Sequence, residues 1–170
     1  MAGLNPVQRK FLLHWGEMGG RWGINRTVAQ VHALLYLSPK PLHADDLVDL
    51  LGVSRSGISG SLHELQNWRL IKVVHVIGDR RDHFEAVQDP YQMFAIIVAE
   101  RKRRELDPVL SVIRECIAEA DASATEAHTR KQLLRLGEFA QQINQAYARL
   151  SGLAPAKLAR LLQLKSLRKA

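Results

Sequence analysis

The chain has 170 residues, of which 46% are hydrophobic and 24% charged, the ordinary balance of a globular protein with one or two small domains. No apolar run approaches the roughly 20 residues that span a bilayer, and we expect no signal peptide. The single cysteine, Cys116, excludes an internal disulfide. These features exclude membrane-spanning and disulfide-rich classes and favour a cytoplasmic location.

The net charge of +7 and the sequence pI of about 9.9 favour an anionic partner. The charge is unevenly distributed. Residues 1–88 carry ten Lys and Arg against eight Asp and Glu, whereas residues 89–170 carry fourteen against nine. The pI alone therefore does not locate a binding surface for that partner.

Two helices are predicted at the start of the chain. Asn5 before Pro6 is typical of an N-cap followed by a first-turn proline, and Gly19-Gly20 is expected to close this helix. Asn25 is a candidate cap for the second helix. The sequence Ser-Pro-Lys-Pro at 38–41 ends it, because two prolines remove backbone donors and restrict the residues before them.

The segment 42–87 predicts a helix-turn-helix followed by a β-hairpin. A short helix is predicted from about His43 to Leu51, with a turn at Gly52-Val53 and a second helix capped by Ser54. Two short strands, Leu70–Ile77 and His83–Val87, flank residues with turn chemistry. This order is typical of a winged helix-turn-helix.

From Asp89 onward the pattern is helical. Pro108 either kinks the first of these helices or, with Asp107 as its cap, begins a new one. A further helix is predicted from about Thr125 to Leu150, and a short last one from about Pro155 to Leu167.

We therefore predict a mainly α protein with a small β-hairpin wing. Residues 1–88 are interpreted as an N-terminal helix and DNA-binding domain, and residues 89–170 as a helical dimerisation region. The apolar stripes of the N-terminal helix and of residues 90–150 exceed what one small domain can bury, so we expect them to form a homodimer interface.

The candidate DNA-reading surface is the start of the second helix of the helix-turn-helix. Ile58, Leu62 and Leu65 are spaced four and three apart and should face the core. Small polar residues allow close approach to a major groove, and an arginine there can bind a guanine or a phosphate. The candidate DNA-binding residues of this helix and its cap are Ser54, Arg55, Ser56, Ser59, Gly60 and His63.

Arg80 and Arg81 complete the candidate surface at the tip of the hairpin. A wing in this position contacts phosphates or enters a minor groove. The alternative is a solvated hairpin, because Asp79 and Asp82 flank the two arginines and partly cancel their charge.

From about Trp22 to Leu110, roughly half the chain, the sequence resembles the GbsR branch of the MarR-like winged-helix regulators. The resemblance is carried by Leu35-Tyr-Leu-Ser-Pro-Lys-Pro-Leu42, Leu50-Leu-Gly-Val-Ser-Arg-Ser56, Gly78-Asp-Arg-Arg-Asp-His-Phe-Glu-Ala86 and Asp89-Pro-Tyr-Gln-Met-Phe94. It implies a dimeric repressor or activator, with a small-molecule effector as a further implication. One departure is Arg69 after Trp68, where the family usually has a glycine that suits a left-handed helix end.

Other functions are poorly supported. Gly57-Ile-Ser-Gly60 lacks the spacing of a hydrolase nucleophile elbow, so we expect no enzyme. The seven histidines show no tight ligand spacing, and no metal or cofactor is predicted. Trp15, Trp22 and Trp68 are interpreted as core or interface residues in preference to an effector pocket.

Two basic segments are not interpreted as nucleic-acid-binding surfaces. Arg101-Lys-Arg-Arg104 has acidic partners three and four residues away and is read as a solvated helix face. The tail with its leucines, lysines and arginines is interpreted as dimer packing or a loose cap in preference to a membrane contact.

The sequence thus predicts a sequence-specific regulator of transcription, most simply a repressor, that binds double-stranded DNA as a homodimer on a palindromic operator. The alternative is a winged-helix module that binds proteins and not DNA.

Overall fold

The computed structural model describes residues 3–122 and 126–151. The helices are α1 (Pro6–Arg21), α2 (Arg26–Leu37), α3 (Ala44–Leu51), α4 (Arg55–Asn67), α5 (Pro90–Arg101), α6 (Asp107–Ala122) and α7 (Ala127–Ser151), with a π-helical segment at Lys102–Leu106. The strands are β1 (Leu42–His43), β2 (Ile71–Val74) and β3 (His83–Ala86). The chain divides into two compact units, Met1–Ile96 and Ile97–Ala170, which are described separately.

The predicted starts of α1 and α2 are confirmed. The Asn5 side chain accepts a hydrogen bond from the Gln8 backbone N–H at 2.9 Å, and Asn25 caps α2 in the same way. Helix α1 does not close at Gly19-Gly20, as predicted, but continues to Arg21. At Gly19 a Cβ would lie 2.5 Å from the Cβ of Ala29, so the absence of a side chain permits close packing of α1 on α2.

Helix α2 is the centre of the first unit. All eight residues from 28 to 35 are buried, and α2 packs against α1, α4 and β3. A helix that is buried around its whole circumference needs partners on every side. Its neighbours are therefore fixed in place around it, and α4 is one of them.

The turn between α3 and α4 forms as the sequence predicts. The imidazole Nδ1 of His43 accepts from the backbone N–H groups of Asp45 and Asp46, which caps α3. Gly52 ends α3 in the left-handed conformation with φ +67°, and Ser54 caps α4 by accepting from the Gly57 N–H.

The predicted hairpin forms, because β2 pairs with β3 in antiparallel orientation. The sheet also has a third strand that was not predicted, and its strand order is β1-β3-β2. Strand β1 pairs Leu42 with Phe84 and His43 with His83. Two residues directly after Pro41 are too few to show an alternating pattern, so only the tertiary pairing reveals this strand. Strand β2 ends at Val74, earlier than the predicted Ile77, because residues 75–82 form the loop of the wing.

The end of α4 keeps the geometry of a glycine cap although residue 69 is arginine. Arg69 has φ +60°, and it is the one non-glycine residue with positive φ in the described parts of the chain. Its N–H donates to the Gln66 carbonyl, and the Leu70 N–H donates to the Leu65 carbonyl at 3.0 Å, which together form a Schellman motif. Arg69 therefore holds a strained conformation without changing the fold.

Of the two alternatives at Pro108, a new helix capped by Asp107 is wrong, because Asp107 has helical angles and the chain stays helical from α5 into α6. The π-helical segment lies directly before Pro108. Proline lacks an N–H and collides with the carbonyl four residues earlier, and a wider turn accommodates both problems. The Lys102 ammonium pairs with the Asp107 carboxylate five residues along, as the π-helical repeat allows.

In the second unit, α6 packs on α7 around a small core of Leu110, Ile113 and Ala140. At Gly137 a Cβ would lie 2.9 Å from Ile117 Cδ1, so the two helices approach closely there. Large apolar side chains remain exposed on both helices: Val109, Val112, Leu136, Phe139 and Ile143. The predicted helix Pro155–Leu167 and the basic tail lie outside the described residues.

The described elements confirm the predicted fold class, a mainly helical protein with a winged helix-turn-helix. The domain boundary at residue 88 stays a prediction.

Candidate nucleic-acid interface

Helix α4 separates a buried face from a polar exposed one. Ile58, Leu62 and Leu65 are buried, as predicted, and the Ser61 hydroxyl on the same side donates to the Gly57 carbonyl at 2.8 Å. The predicted DNA-reading residues of this helix and its cap are all exposed: Ser54, Arg55, Ser56, Ser59, Gly60 and His63. The structure therefore brings these six residues to one accessible surface at the start of the helix.

Two glycines in α4 have different roles. At Gly57 a Cβ would lie 2.9 Å from Val53 Cγ1 and 3.2 Å from the Ser54 hydroxyl, so this glycine makes room for the turn and the cap. At Gly60 a Cβ would meet no atom within 4 Å among the described residues. Packing of the described residues therefore does not require a glycine at position 60.

Arg55 forms an ion pair that sequence reasoning missed. Its guanidinium contacts the carboxylate of Asp45 in the first turn of α3, and both side chains are more than half exposed. An exposed pair of this kind contributes about 0.2–1 kcal/mol, less than the roughly 1–3 kcal/mol of a good base contact. Arg55 can therefore leave Asp45 for a base or phosphate at small cost.

The two wing arginines differ. The Arg81 side chain folds back on the hairpin, where its Nε donates to Asp79 Oδ1 at 2.9 Å and to Oδ2 at 3.1 Å. These hydrogen bonds hold the pKa of the Asp79 carboxyl well below its usual range and raise the pKa of Arg81. Arg80 is exposed and has no ion-pair partner among the described residues. Arg80 is thus the more available cation for an anionic ligand.

A groove with a volume of about 390 Å³ lies between α4 and the wing. Its walls include the predicted residues Arg55, Ser59, His63 and Arg81, together with Gln66, which the sequence analysis did not select. The positions 55, 59, 63 and 66 repeat at helical spacing, and this signal could have identified Gln66. Arg80 does not line the groove.

The three tryptophans are divided between core and surface. Trp68 is buried, whereas Trp22 is exposed and packs edge-on against Trp15 with ring centroids 6.0 Å apart. Beside this cluster is a cavity of about 20 Å³, lined by Phe11, Trp15, His32, Ala33, Tyr36 and Met93. It has room for about one water molecule.

His32 lies in the wall of this cavity, and one nitrogen of its imidazole ring lacks a hydrogen bond within the described structure. It is only 4% exposed, and its Nε2 has no hydrogen-bond partner among the described residues. Burial lowers the pKa of His32 to about 4, so the ring is neutral at physiological pH.

The basic run 101–104 is paired, as the spacing predicts. Arg103 and Arg104 contact Glu100 at 2.5 and 2.9 Å, and Arg101 contacts Glu105 at 3.1 Å. The two arginines hold the pKa of the buried Glu100 carboxyl below its usual value. This run is therefore engaged within its own helix.

Within residues 3–122 and 126–151, no group of three metal-ligating side chains is close enough to hold a metal ion. In the same parts of the chain, no helix is both long enough and apolar enough to cross a membrane.

Comparison with known proteins finds regulators of transcription among those similar to this chain. Residues 22–82 match the model of the MarR family. The chain is 30% identical over 91 residues to the putative HTH-type transcriptional regulator YvaV of Bacillus subtilis, covering 54% of this chain and 51% of the relative. It is 28% identical over 78 residues to the HTH-type transcriptional repressor OpcR of the same organism, covering 46% and 42%. These matches span about half the length of the curated relatives or less.

A solved structure described as that of a transcriptional regulator is similar over almost its whole length. The TM-score is 0.67 at 19% identity, and the alignment covers 86% of this chain and 97% of the solved chain. At this identity the likeness establishes the fold. The winged helix-turn-helix is therefore supported by the geometry and by an independent structure.

Proposed function

We propose that the chain is a MarR-type regulator of transcription that binds double-stranded DNA through α4 and the wing. The observation that carries this proposal is the surface of α4, where a capped helix start presents six small, polar or cationic residues in the described structure. The match of residues 22–82 to the MarR family and the names of both curated relatives support it. Those names describe regulators, and we infer no enzymatic activity.

The proposed active form is a homodimer. Helix α6 carries four acidic residues and one arginine, whereas α7 carries four Lys and Arg and one glutamate. Both helices also carry exposed apolar side chains, including Phe139 at 59% and Val112 at 56%. A second copy would supply apolar cover and opposite charge at once. Two α4 helices about 34 Å apart would then read a palindromic operator.

We further propose the GbsR-like branch, a repressor role, a cytoplasmic location and control by a small-molecule effector. The repressor role is supported by the name of one relative, OpcR. For an effector, the cavity beside the unsatisfied Nε2 of His32 is a candidate site in the first unit, which a ligand would have to enlarge.

The proposal is tested by a gel-shift titration against DNA fragments from upstream of the chain's own gene. We expect salt-sensitive binding with a preference for one fragment over random DNA. Absence of binding even at low salt would contradict the proposal and favour the protein-binding module. Repeating the titration with candidate metabolites tests effector control.

A further inference from the structure

The wing carries a fully exposed apolar residue, Ile77, in a tight turn of its loop. Residues Val76–Asp79 form a tight turn, because the Asp79 N–H donates to the Val76 carbonyl at 3.0 Å. Gly78 at the third position has φ +87°, which is the angle that a type II turn requires there. Ile77 therefore occupies the second position of the turn, beyond the last paired residues of the hairpin, Val74 and His83.

The side chain of Ile77 makes no contribution to the packing of the chain. It is fully exposed, at 104%, more than any other large apolar residue in the described parts of the chain. Because the side chain stays in water in the folded chain, it contributes no hydrophobic stabilisation to the fold. A partner that receives the tip would give this side chain the apolar cover that the described chain does not.

The neighbouring residues indicate the chemistry of that partner. Asp79 binds Arg81 along the hairpin. The tip then presents two exposed apolar side chains, Ile77 and Val76, beside the guanidinium of Arg80, which has no ion-pair partner among the described residues. A narrow minor groove has apolar sugar walls and an enhanced negative potential, and is about 6 Å wide. Apolar side chains such as isoleucine also act as wedges between base steps in this groove.

We propose that Ile77 enters the DNA minor groove beside Arg80 and makes an apolar contact with its walls. This inference rests on the proposed function. The proposed contact of Ile77 is apolar and neutralises no phosphate. It therefore releases no counterion from the DNA and should not affect the salt dependence of binding. Arg80 and Ile77 thus contribute to binding in two separable ways.

The test compares the parent chain with Ile77→Ser, Ile77→Met and Arg80→Ala on the fragment that binds most tightly upstream of the gene. Ile77→Ser should weaken binding about tenfold without changing the salt slope, and Ile77→Met should restore most of the affinity. Arg80→Ala should reduce the salt slope by about one. The melting temperature of Ile77→Ser should equal that of the parent chain because the side chain packs against nothing.

A modified duplex locates the contact. Replacing adenine with 2,6-diaminopurine adds an amino group to the minor groove and leaves the major groove unchanged. The replacement at the wing position should weaken the parent chain and leave Ile77→Ser unaffected. If the parent binds and Ile77→Ser binds equally well, this inference is wrong and the proposed function stands. If the parent binds no fragment, both are wrong.

Discussion

The two units of the chain differ in how completely they bury their apolar residues. In the first unit, Leu12, Val31, Leu47 and Ile58 have no exposed surface, and α2 is covered on all sides. In the second unit, the core consists of a few residues between α6 and α7, while large apolar side chains remain exposed on both helices.

This difference indicates where each unit finds its stability. The core of the first unit buries its large apolar side chains, so the stability of this unit does not depend on the exposed face of α4. That face is polar and carries the cationic Arg55. In the described residues of the second unit, α6 and α7 leave large apolar side chains exposed, and this exposure is the basis of the proposed dimer interface. Substitutions in each unit and a pH titration of the first unit test this contrast.

The largest effect is expected from Phe139→Asp on α7. A charge at the centre of the proposed interface should weaken dimerisation by about 3 kcal/mol or more, because the charge must be desolvated and the ring contact is lost. Analytical ultracentrifugation measures the change in mass. Loss of the dimer should also abolish tight binding to a palindromic fragment.

The matched control is Gln145→Asp, an exposed polar position on another face of the same helix. It should leave the mass and DNA binding unchanged. Equal behaviour of the two variants would refute this interface. Because Phe139→Asp could also unfold the second unit, the milder Phe139→Ser should be measured beside it and should weaken the dimer by a smaller amount.

A pH titration tests the core of the first unit through His32. The unfolded chain takes up a proton near pH 6.5, whereas the folded chain does so only near pH 4. The contribution of His32 to the free energy of unfolding should therefore fall by about 3 kcal/mol as the pH is lowered from 6.5 to 4.

Urea unfolding at several pH values measures this dependence. His32→Leu should remove most of it, whereas His75→Gln, at an exposed position, should not. A parent chain whose stability does not change between pH 6.5 and 4 would show that His32 is not buried in solution.

Arg55→Ala tests whether the exposed face of α4 in the first unit reads DNA bases. If Arg55 reads a base, the variant should lose about 1–3 kcal/mol on the preferred fragment and much less on random DNA. Fluorescence anisotropy on both duplexes measures the two losses. An equal loss on both would assign Arg55 to a phosphate.

Gly60→Ala should change stability and binding in opposite directions. Because a Cβ at this position meets nothing within the described structure, alanine should stabilise α4 by about 0.5–1 kcal/mol. The same methyl group should weaken DNA binding if the backbone lies against the groove wall. Tighter or unchanged binding, together with higher stability, would exclude that close approach.

The smallest effect is expected from Arg69→Gly at the end of α4. Glycine adopts φ near +60° without strain but has more freedom in the unfolded chain, so the net gain should be about 0.5–1 kcal/mol. Thermal unfolding measures it. Arg69→Ala serves as the control, because alanine retains the strain and should give no gain.

Local chemistry made most of the fold predictable. Three capping residues illustrate this: Asn5, Asn25 and Ser54. The side chain of each accepts a hydrogen bond from a backbone N–H two or three residues further along the chain, at the start of a predicted helix. Strand β1 was missed because its two residues acquire their structure from β3, some forty positions away in the chain. Non-local pairing of this kind leaves no periodic signal.

The candidate site shows the same division. Exposure of the α4 residues followed from the phase of the helix, since Ile58, Leu62 and Leu65 fix which side is buried. The ion pair between Arg55 and Asp45 and the return of Arg81 onto Asp79 did not follow, because both depend on side-chain positions across turns. The protrusion of Ile77 became visible only with the geometry of its turn.

The burial of α2 also has a consequence for the rate at which its amide hydrogens exchange with water. Amide hydrogens in the middle of this helix are covered by α1, α4 and β3, so partial opening at one neighbour does not bring them to water. We expect them to exchange only when the unit unfolds as a whole, and amides in the loop 75–82 to exchange through local fluctuations. The exchange lifetime of an amide hydrogen on α2 should therefore equal the lifetime of the folded first unit.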